Sequence, residues 1–235
     1  MVKKKVGVFK LTSCLGCQIE ILNLGERFLE LTKNFDFKYM KILKRGKLGK
    51  FDIAFIEGAV SSNQEIELVR KIRMKSKYLV ALGSCAILGG ISAMQNFVSA
   101  KNLRKINYTP VENSLPIERY VKVDYKLRGC PIVGIEFLQM VNDLLAGKTL
   151  REIETPVCNE CRKNNNQCLI EKKCFCAGPI TYYGCKAICI EKGGFCFGCR
   201  GITKDANLKE WLRKMKKNGF EQQAKEVLRV FNHEP

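Results

Sequence analysis

The chain has 235 residues, of which 46% are hydrophobic, enough for one ordinary domain and a smaller one, and no apolar run reaches the length that spans a bilayer. Its formal charge of +18 is spread along the chain and not gathered into an arginine-rich stripe interleaved with aromatics, which argues against nucleic acid as a partner. A lysine-rich surface, or a face that meets an acidic partner, accounts for the excess.

The amino terminus, Met-Val-Lys-Lys-Lys, shows neither an apolar signal region nor a twin arginine, so the expected location is the cytoplasm, with no membrane partner. Residues 5–11 read as a short buried first strand. A tight turn, Thr12-Ser13-Cys14-Leu15-Gly16-Cys17, leads into a helix pattern with Ile21, Leu24, Phe28 and Leu31 on one face. Strand, turn and helix in succession open an α/β domain. Residues 37–43 predict a second strand and 51–59 a third, whose near-continuous apolar character suits a strand covered on both faces. A charged helix over 64–75 turns Ile66, Val69 and Ile72 inward, and a fourth strand over 78–82 ends at Gly83-Ser84-Cys85.

From Ile87 to Pro116 the pattern breaks into loops and one short helix, marked by Gly89, Gly90, Asn96, Pro110 and Asn113. Residues 118–127 predict a fifth strand ending at Gly129-Cys130-Pro131. Pro131 suits the first position of a helix that carries Ile135, Leu138, Val141 and Leu145 and stops at Gly147. Four cysteines now fall at strand ends: Cys14 and Cys17 after the first, Cys85 after the fourth, Cys130 after the last. In an open parallel sheet those ends share the edge where ligands bind. Four thiols meeting there make a site for a four-iron cluster, with a thioredoxin-like redox pair as the competing reading of Cys14 and Cys17. Glu57-Gly58 lies at the same edge, either as a solvated loop carboxylate or as a proton-handling or partner-contacting group.

The composition changes near residue 150. Nine of the thirteen cysteines (Cys158, Cys161, Cys168, Cys174, Cys176, Cys185, Cys189, Cys196, Cys199) stand among Asn, Lys, Gly and Pro, with few apolar residues between them. Such a stretch cannot offset its ordering entropy by burial, so a covalent or coordinative link must hold it. Disulfides need an oxidising compartment. A four-thiolate zinc site would leave five cysteines over, and the single histidine, His233, is far off in sequence. Two further four-iron clusters use eight of the nine. The expected layout is therefore an α/β, flavodoxin-like parallel-sheet domain over 1–150, followed over 151–235 by a loop-rich iron-sulfur domain. Its helical tail places Leu208, Trp211, Leu212 and Met215, then Phe220, Ala224, Val227, Leu228 and Phe231, against the cluster region. Twelve thiolates on three such clusters would lower the charge to about +12.

Cys14-Leu-Gly-Cys17, Glu57-Gly58, Gly83-Ser84-Cys85 and Gly129-Cys130-Pro131, with Cys176-Ala-Gly-Pro-Ile-Thr-Tyr-Tyr-Gly-Cys185-Lys-Ala-Ile-Cys189 and Cys196-Phe-Gly-Cys199-Arg-Gly, resemble the small subunits of nickel-iron hydrogenases. The similarity covers about residues 5–201. It is greatest to the soluble branch that includes the archaeal sulfhydrogenase delta subunits. The resemblance implies a subunit of an oxidoreductase acting on hydrogen, without the nickel-iron site itself, which a large subunit holds. This chain would relay electrons to flavin- and iron-sulfur-containing subunits that reduce NAD(P). It implies a proximal 4Fe-4S cluster on Cys14, Cys17, Cys85 and Cys130, a distal one on Cys158, Cys161, Cys168 and Cys176, and a medial one on Cys185, Cys189, Cys196 and Cys199, with Cys174 left over. Where many relatives use a distal histidine this chain has Cys158, which implies an all-cysteine set. Alternatives are the small subunit of a coenzyme F420-linked or heterodisulfide-reductase-linked hydrogenase, the quinone-side subunit of respiratory complex I, and a zinc-stabilised binding module.

Overall fold

Apolar runs that are buried on both faces become the strands of a parallel sheet. A computed structural model describes residues 3–43, 46–106, 113–150 and 152–231. Pro110 and His233 lie outside them. The chain divides into two compact units, Met1–Leu150 and Arg151–Pro235.

The first unit opens with β1 (Lys4–Lys10), α1 (Gly16–Leu22), α2 (Glu26–Asn34), β2 (Phe35–Met40) and β3 (Phe51–Glu57). It continues through α3 (Asn63–Lys75), β4 (Ser76–Leu82), three short helices, α4 (Gly83–Leu88), α5 (Gly90–Ala93) and α6 (Ala100–Lys105), then β5 (Tyr125–Leu127) and α7 (Gly134–Leu145). The strands pair in parallel in the order β2-β1-β3-β4-β5, the doubly wound order in which the chain reverses direction across the sheet between β1 and β3. On one face Val6, Val8, Phe55 and Leu82 pack against Ile21, Phe28, Leu31, Phe137 and Val141. On the other, Phe9, Ile56, Leu79 and Ala81 pack against Val69, Ile72 and Ile87.

Several expected boundaries shift for local reasons. The single helix predicted after Cys17 is two, because Gly25 takes φ +57 between them, although Ile21, Phe28 and Leu31 still share the buried side. The second strand ends at Met40, and Ile42 and Leu43 are exposed. The fifth strand is only Tyr125–Leu127, preceded by a 3-10 turn over Ile117–Arg119. Pro131 does not start a helix. It follows Cys130 through a cis peptide bond, and α7 begins at Gly134. That start turns the helix so that Phe137 is buried, against Phe55 with ring centroids 5.1 Å apart, while Ile135 is exposed.

The start of α3 shows how a short polar sequence sets an element. Ser62 Oγ accepts the Glu65 N–H at 3.2 Å, and Glu65 Oε2 accepts the Ser61 N–H at 2.7 Å. These two bonds satisfy backbone donors that a helix start leaves free. Ser62→Ala should cost about 1 kcal/mol, read as a melting point lowered by about 2–4 °C.

In the second unit the regular elements are short: α8 (Cys158–Lys163), α9 (Ile188–Glu191), then α10 (Leu208–Lys217) and α11 (Glu221–Val230). Burial concentrates in residues 175–182 and the last two helices. Trp211, Met215, Ala224, Leu228 and Phe231 are buried, and the Phe175 ring meets Phe195, Trp211 and Phe220 edge-on. Trp211 Nε1 donates to the Cys176 carbonyl at 2.9 Å, tying the tail to a cysteine-bearing loop. Trp211→Phe keeps most of the ring but strands a buried acceptor. The expected loss is about 1–3 kcal/mol, measured by denaturant unfolding.

Candidate functional site

Strand register brings the first site together. Lys10 pairs with Glu57, Glu57 with Leu82, and Leu82 with Leu127, so four strands end in one row. The residues that follow this row are Cys14 and Cys17, Cys85, and Cys130. The β1 and β3 ends flank the reversal in strand order, the crevice where this architecture binds ligands.

Each thiol is set by its own turn. Leu15 takes φ +71, and Cys14 Sγ accepts the Gly16 N–H at 3.4 Å. Cys17, in the first turn of α1, is buried, and its N–H donates to Glu57 Oε1 at 3.2 Å. Cys85 lies in α4. The Ser84 N–H donates to the Gly129 carbonyl at 2.9 Å, joining the loop of Cys85 to that of Cys130. Two glycines keep space for the sulfurs. A Cβ on Gly83, which has φ +80, would lie 2.4 Å from Cys17 Sγ, and one on Gly90 would lie 2.8 Å from Cys85 Sγ.

The four thiols act on one another. Burial, followed by the neighbouring Cys130 and Cys14, pushes Cys85 up to about 11. Burial and then Glu57 drive Cys17 far above the usual thiol range, with Cys85 and Cys130 adding to the effect. Burial also raises Cys130, with Cys14 and Glu57 contributing. Buried thiols this close together keep their protons unless a cationic centre compensates the thiolates, which is what a metal-containing group supplies. Cys14 and Cys130 remain exposed, so the group of four is open on one side.

Glu57 is not a solvated loop carboxylate. It ends β3 at 2% exposure, burial raises its pKa, and the Cys17 N–H offsets part of that rise. Its Oε2 has no partner among the described residues. Gln18, fully buried one residue beyond Cys17, belongs to the same surroundings, and nothing in the sequence marks it.

In the second unit Cys158, Cys161, Cys168 and Cys176 are neighbours. Burial pushes Cys158 up to about 11, with Cys176, Cys161 and Cys168 adding to the rise. A Cβ on Gly178 would lie 3.3 Å from Cys176 Sγ and 3.5 Å from Cys158 Sγ, and the Gly178 N–H donates to Cys176 Sγ at 3.4 Å. Cys174 is exposed, with its sulfur 3.6 Å from the Lys172 carbonyl. Cys185 feels Cys189, and Cys196 feels Cys176 and Cys199. Arg200 Nε donates to the Tyr183 carbonyl at 2.7 Å, which places the residues after Cys199 beside those before Cys185. The Ala177 N–H donates to the Cys196 carbonyl at 2.8 Å, linking the two cysteine groups. None of the thirteen cysteines is paired in a disulfide. Among the described residues, no three His, Cys, Asp or Glu side chains are gathered as a site for a metal ion.

The family described as NADH ubiquinone oxidoreductase, 20 Kd subunit, matches residues 14–144, the span that holds the four cysteines of the first unit. The chain is 34% identical to sulfhydrogenase 2 subunit delta of Pyrococcus furiosus, over 97% of this chain and 98% of that one. It is 31% identical to a subunit of the vhu F420-non-reducing hydrogenase of Methanocaldococcus jannaschii, over 85% of this chain and 82% of that one. A chain in the crystal structure of an NAD+-reducing NiFe-hydrogenase in the H2-reduced state is 28% identical, with a TM-score of 0.58 over 64% of this chain and 99% of that one. The sulfhydrogenase match extends through the cysteine-rich unit, beyond the span shared with the respiratory family. The chain therefore belongs to the family of the NADH ubiquinone oxidoreductase 20 Kd subunit and, within it, to the small subunits of hydrogenases.

Proposed function

We propose that this chain is the electron-transfer subunit of a soluble, cytoplasmic nickel-iron hydrogenase. It would stand between the nickel-iron site of a large subunit and a flavin- and iron-sulfur-containing partner that reduces NAD(P). The observation that carries this reading is that Cys14, Cys17, Cys85 and Cys130 follow strand ends aligned in one row beside the reversal point of the sheet, with Gly83 leaving room for the Cys17 sulfur and Gly90 for that of Cys85. When bound, three 4Fe-4S clusters would supply one-electron carriers. The proximal ligands are Cys14, Cys17, Cys85 and Cys130. Cys158, Cys161, Cys168 and Cys176 form the distal set, and Cys185, Cys189, Cys196 and Cys199 the medial set. Burial of Cys17, Cys176 and Cys196 keeps water from one side of each group. Glu57 orients the Cys14–Cys17 turn through the Cys17 N–H.

The nicotinamide acceptor draws support from the NAD+-reducing enzyme among the structural relatives. A second reading passes the electrons to a heterodisulfide reductase; the relative described as a subunit of an F420-non-reducing hydrogenase supports an acceptor other than coenzyme F420. No helix of the described residues is long and apolar enough to cross a membrane.

The test is iron, acid-labile sulfide and zinc per chain in anaerobically purified protein, with electron paramagnetic resonance after reduction. About twelve iron and twelve sulfide per chain are expected from three cubanes. Zinc in place of both would support the binding-module alternative and remove the relay. Copurifying subunits then separate the two acceptors, since a nicotinamide-reducing partner brings a flavin and hydrogen-dependent NAD(P) reduction.

A further inference from the structure

The loop that presents Cys185 adopts a conformation its sequence does not favour. Gly184 has φ +121, and Lys186 and Ala187 are consecutive non-glycine residues in the left-handed region, at φ +55 and +52. A pair of this kind persists only where the surroundings over-determine it. Three side chains do so. Glu160, which lies between Cys158 and Cys161 on α8, accepts the Gly184 N–H at Oε2 (2.9 Å) and the Lys186 N–H at Oε1 (3.0 Å). Asn164, one turn further along, donates Nδ2 to the Lys186 carbonyl at 2.7 Å. Arg200, buried beside Cys199, donates Nε to the Tyr183 carbonyl at 2.7 Å. The N–H groups on either side of Cys185 thus converge on one carboxylate, as backbone nests converge on anions. Here the anion comes from the helix that carries two other cysteines.

We propose that Glu160 is a positioning residue that couples the two cysteine groups of the second unit, holding the Cys185 loop to α8 and setting the electric field at the redox centre which Cys185 ligates. This rests on the proposed assignment of Cys185 to one cluster and of Cys158 and Cys161 to another. The loop lies between opposite charges, since the Glu160 carboxylate binds the N–H groups on either side of Cys185 and the Arg200 guanidinium binds the Tyr183 carbonyl. A negative charge opposes the arrival of an electron as it opposes the loss of a proton, so removing it should favour the reduced cluster. Glu160→Gln removes the charge and turns one acceptor oxygen into an NH2 group facing an N–H donor. Glu160→Asp keeps the charge but shortens its reach.

The experiment is a redox titration, followed by electron paramagnetic resonance, of the anaerobically purified complex carrying wild-type, Glu160→Gln, Glu160→Asp or Asn164→Ala chains. With iron content unchanged, Glu160→Gln should move one cluster signal to higher potential. Its reduced-to-oxidised ratio at fixed potential should rise about threefold to tenfold, the upper value being 59 mV for one electron. The signal of the cluster in the first unit should stay in place, and Glu160→Asp should move the signal that Glu160→Gln moves, but less. If every signal of an iron-replete Glu160→Gln complex titrates as in wild type, the proposal is overturned. Should that variant fail to hold iron, Asn164→Ala carries the test, because it deletes only the bond to the Lys186 carbonyl. A moved or broadened signal then supports the coupling, and an unchanged spectrum overturns it. Wild-type protein without iron and sulfide would instead remove the cluster assignment on which the proposal stands.

Discussion

Gly83→Ala is expected to destabilise the first unit by about 2–5 kcal/mol and to lower the iron content by about four atoms per chain. Two effects add at this position. Alanine at φ +80 costs about 1–2 kcal/mol in a left-handed conformation, and its Cβ would lie 2.4 Å from Cys17 Sγ and 3.3 Å from the Gly129 carbonyl oxygen. Cys17 is buried and held by the Glu57 carboxylate through its N–H, so its sulfur has little room to yield. Gly147→Ala is the control. It also has positive φ, +70, but nothing lies within 4 Å of the new methyl group, so about 1 kcal/mol of destabilisation and a full iron content are expected. Thermal unfolding with iron analysis on both variants separates backbone strain from crowding of the sulfur. An iron-replete Gly83→Ala protein would argue against a cluster ligated by Cys17.

Removing the clusters should release the second unit unevenly. Residues 158–174 and 185–199 contain almost no buried apolar side chains, whereas residues 175–182 and the helices α10 and α11 contain most of the core of this unit. Ordering about thirty residues at roughly 1–2 kcal/mol each, with little burial to offset it, requires bonds from the cysteines. Amide hydrogen exchange on protein stripped of iron by chelator and oxidant should therefore show rates close to those of an unfolded chain in the two cysteine segments. The slow amides of α10, α11 and the Trp211 contact should keep most of their protection. Uniform protection in both states would mean that the loops hold themselves.

The sheet and the placing of four cysteines at its strand ends were legible because a parallel sheet buried on both faces writes itself as apolar runs, and the runs of β1, β3, β4 and β5 lead into glycine or cysteine turns. The break at Gly25 was hidden, since Ile21, Phe28 and Leu31 keep a helical period across it. Of the four apolar positions expected inward on α7, Leu138, Val141 and Leu145 do pack on the core and Ile135 does not, for a related reason. Pro131 resembles a helix start, but the chain turns through Gly129–Ile132 first, and the delay exchanges Ile135 for Phe137. Spacing alone could not group the nine cysteines of the second unit, because their grouping depends on bonds between distant loops, such as Ala177 N–H to the Cys196 carbonyl. Glu160 carried no signal, being one more charged residue in a charged helix. The role of Glu57 depended on its burial, which follows from the register of three strands.

The openness of the four-thiol edge has a bearing on the order of biogenesis. Cys17 faces inward, while Cys14 and Cys130 face solvent. Side chains pack both faces of the sheet, so a cargo that arrives from the open side need not pass through the core. In the proposed complex, loading from that side would have to precede any covering of the edge by a large subunit.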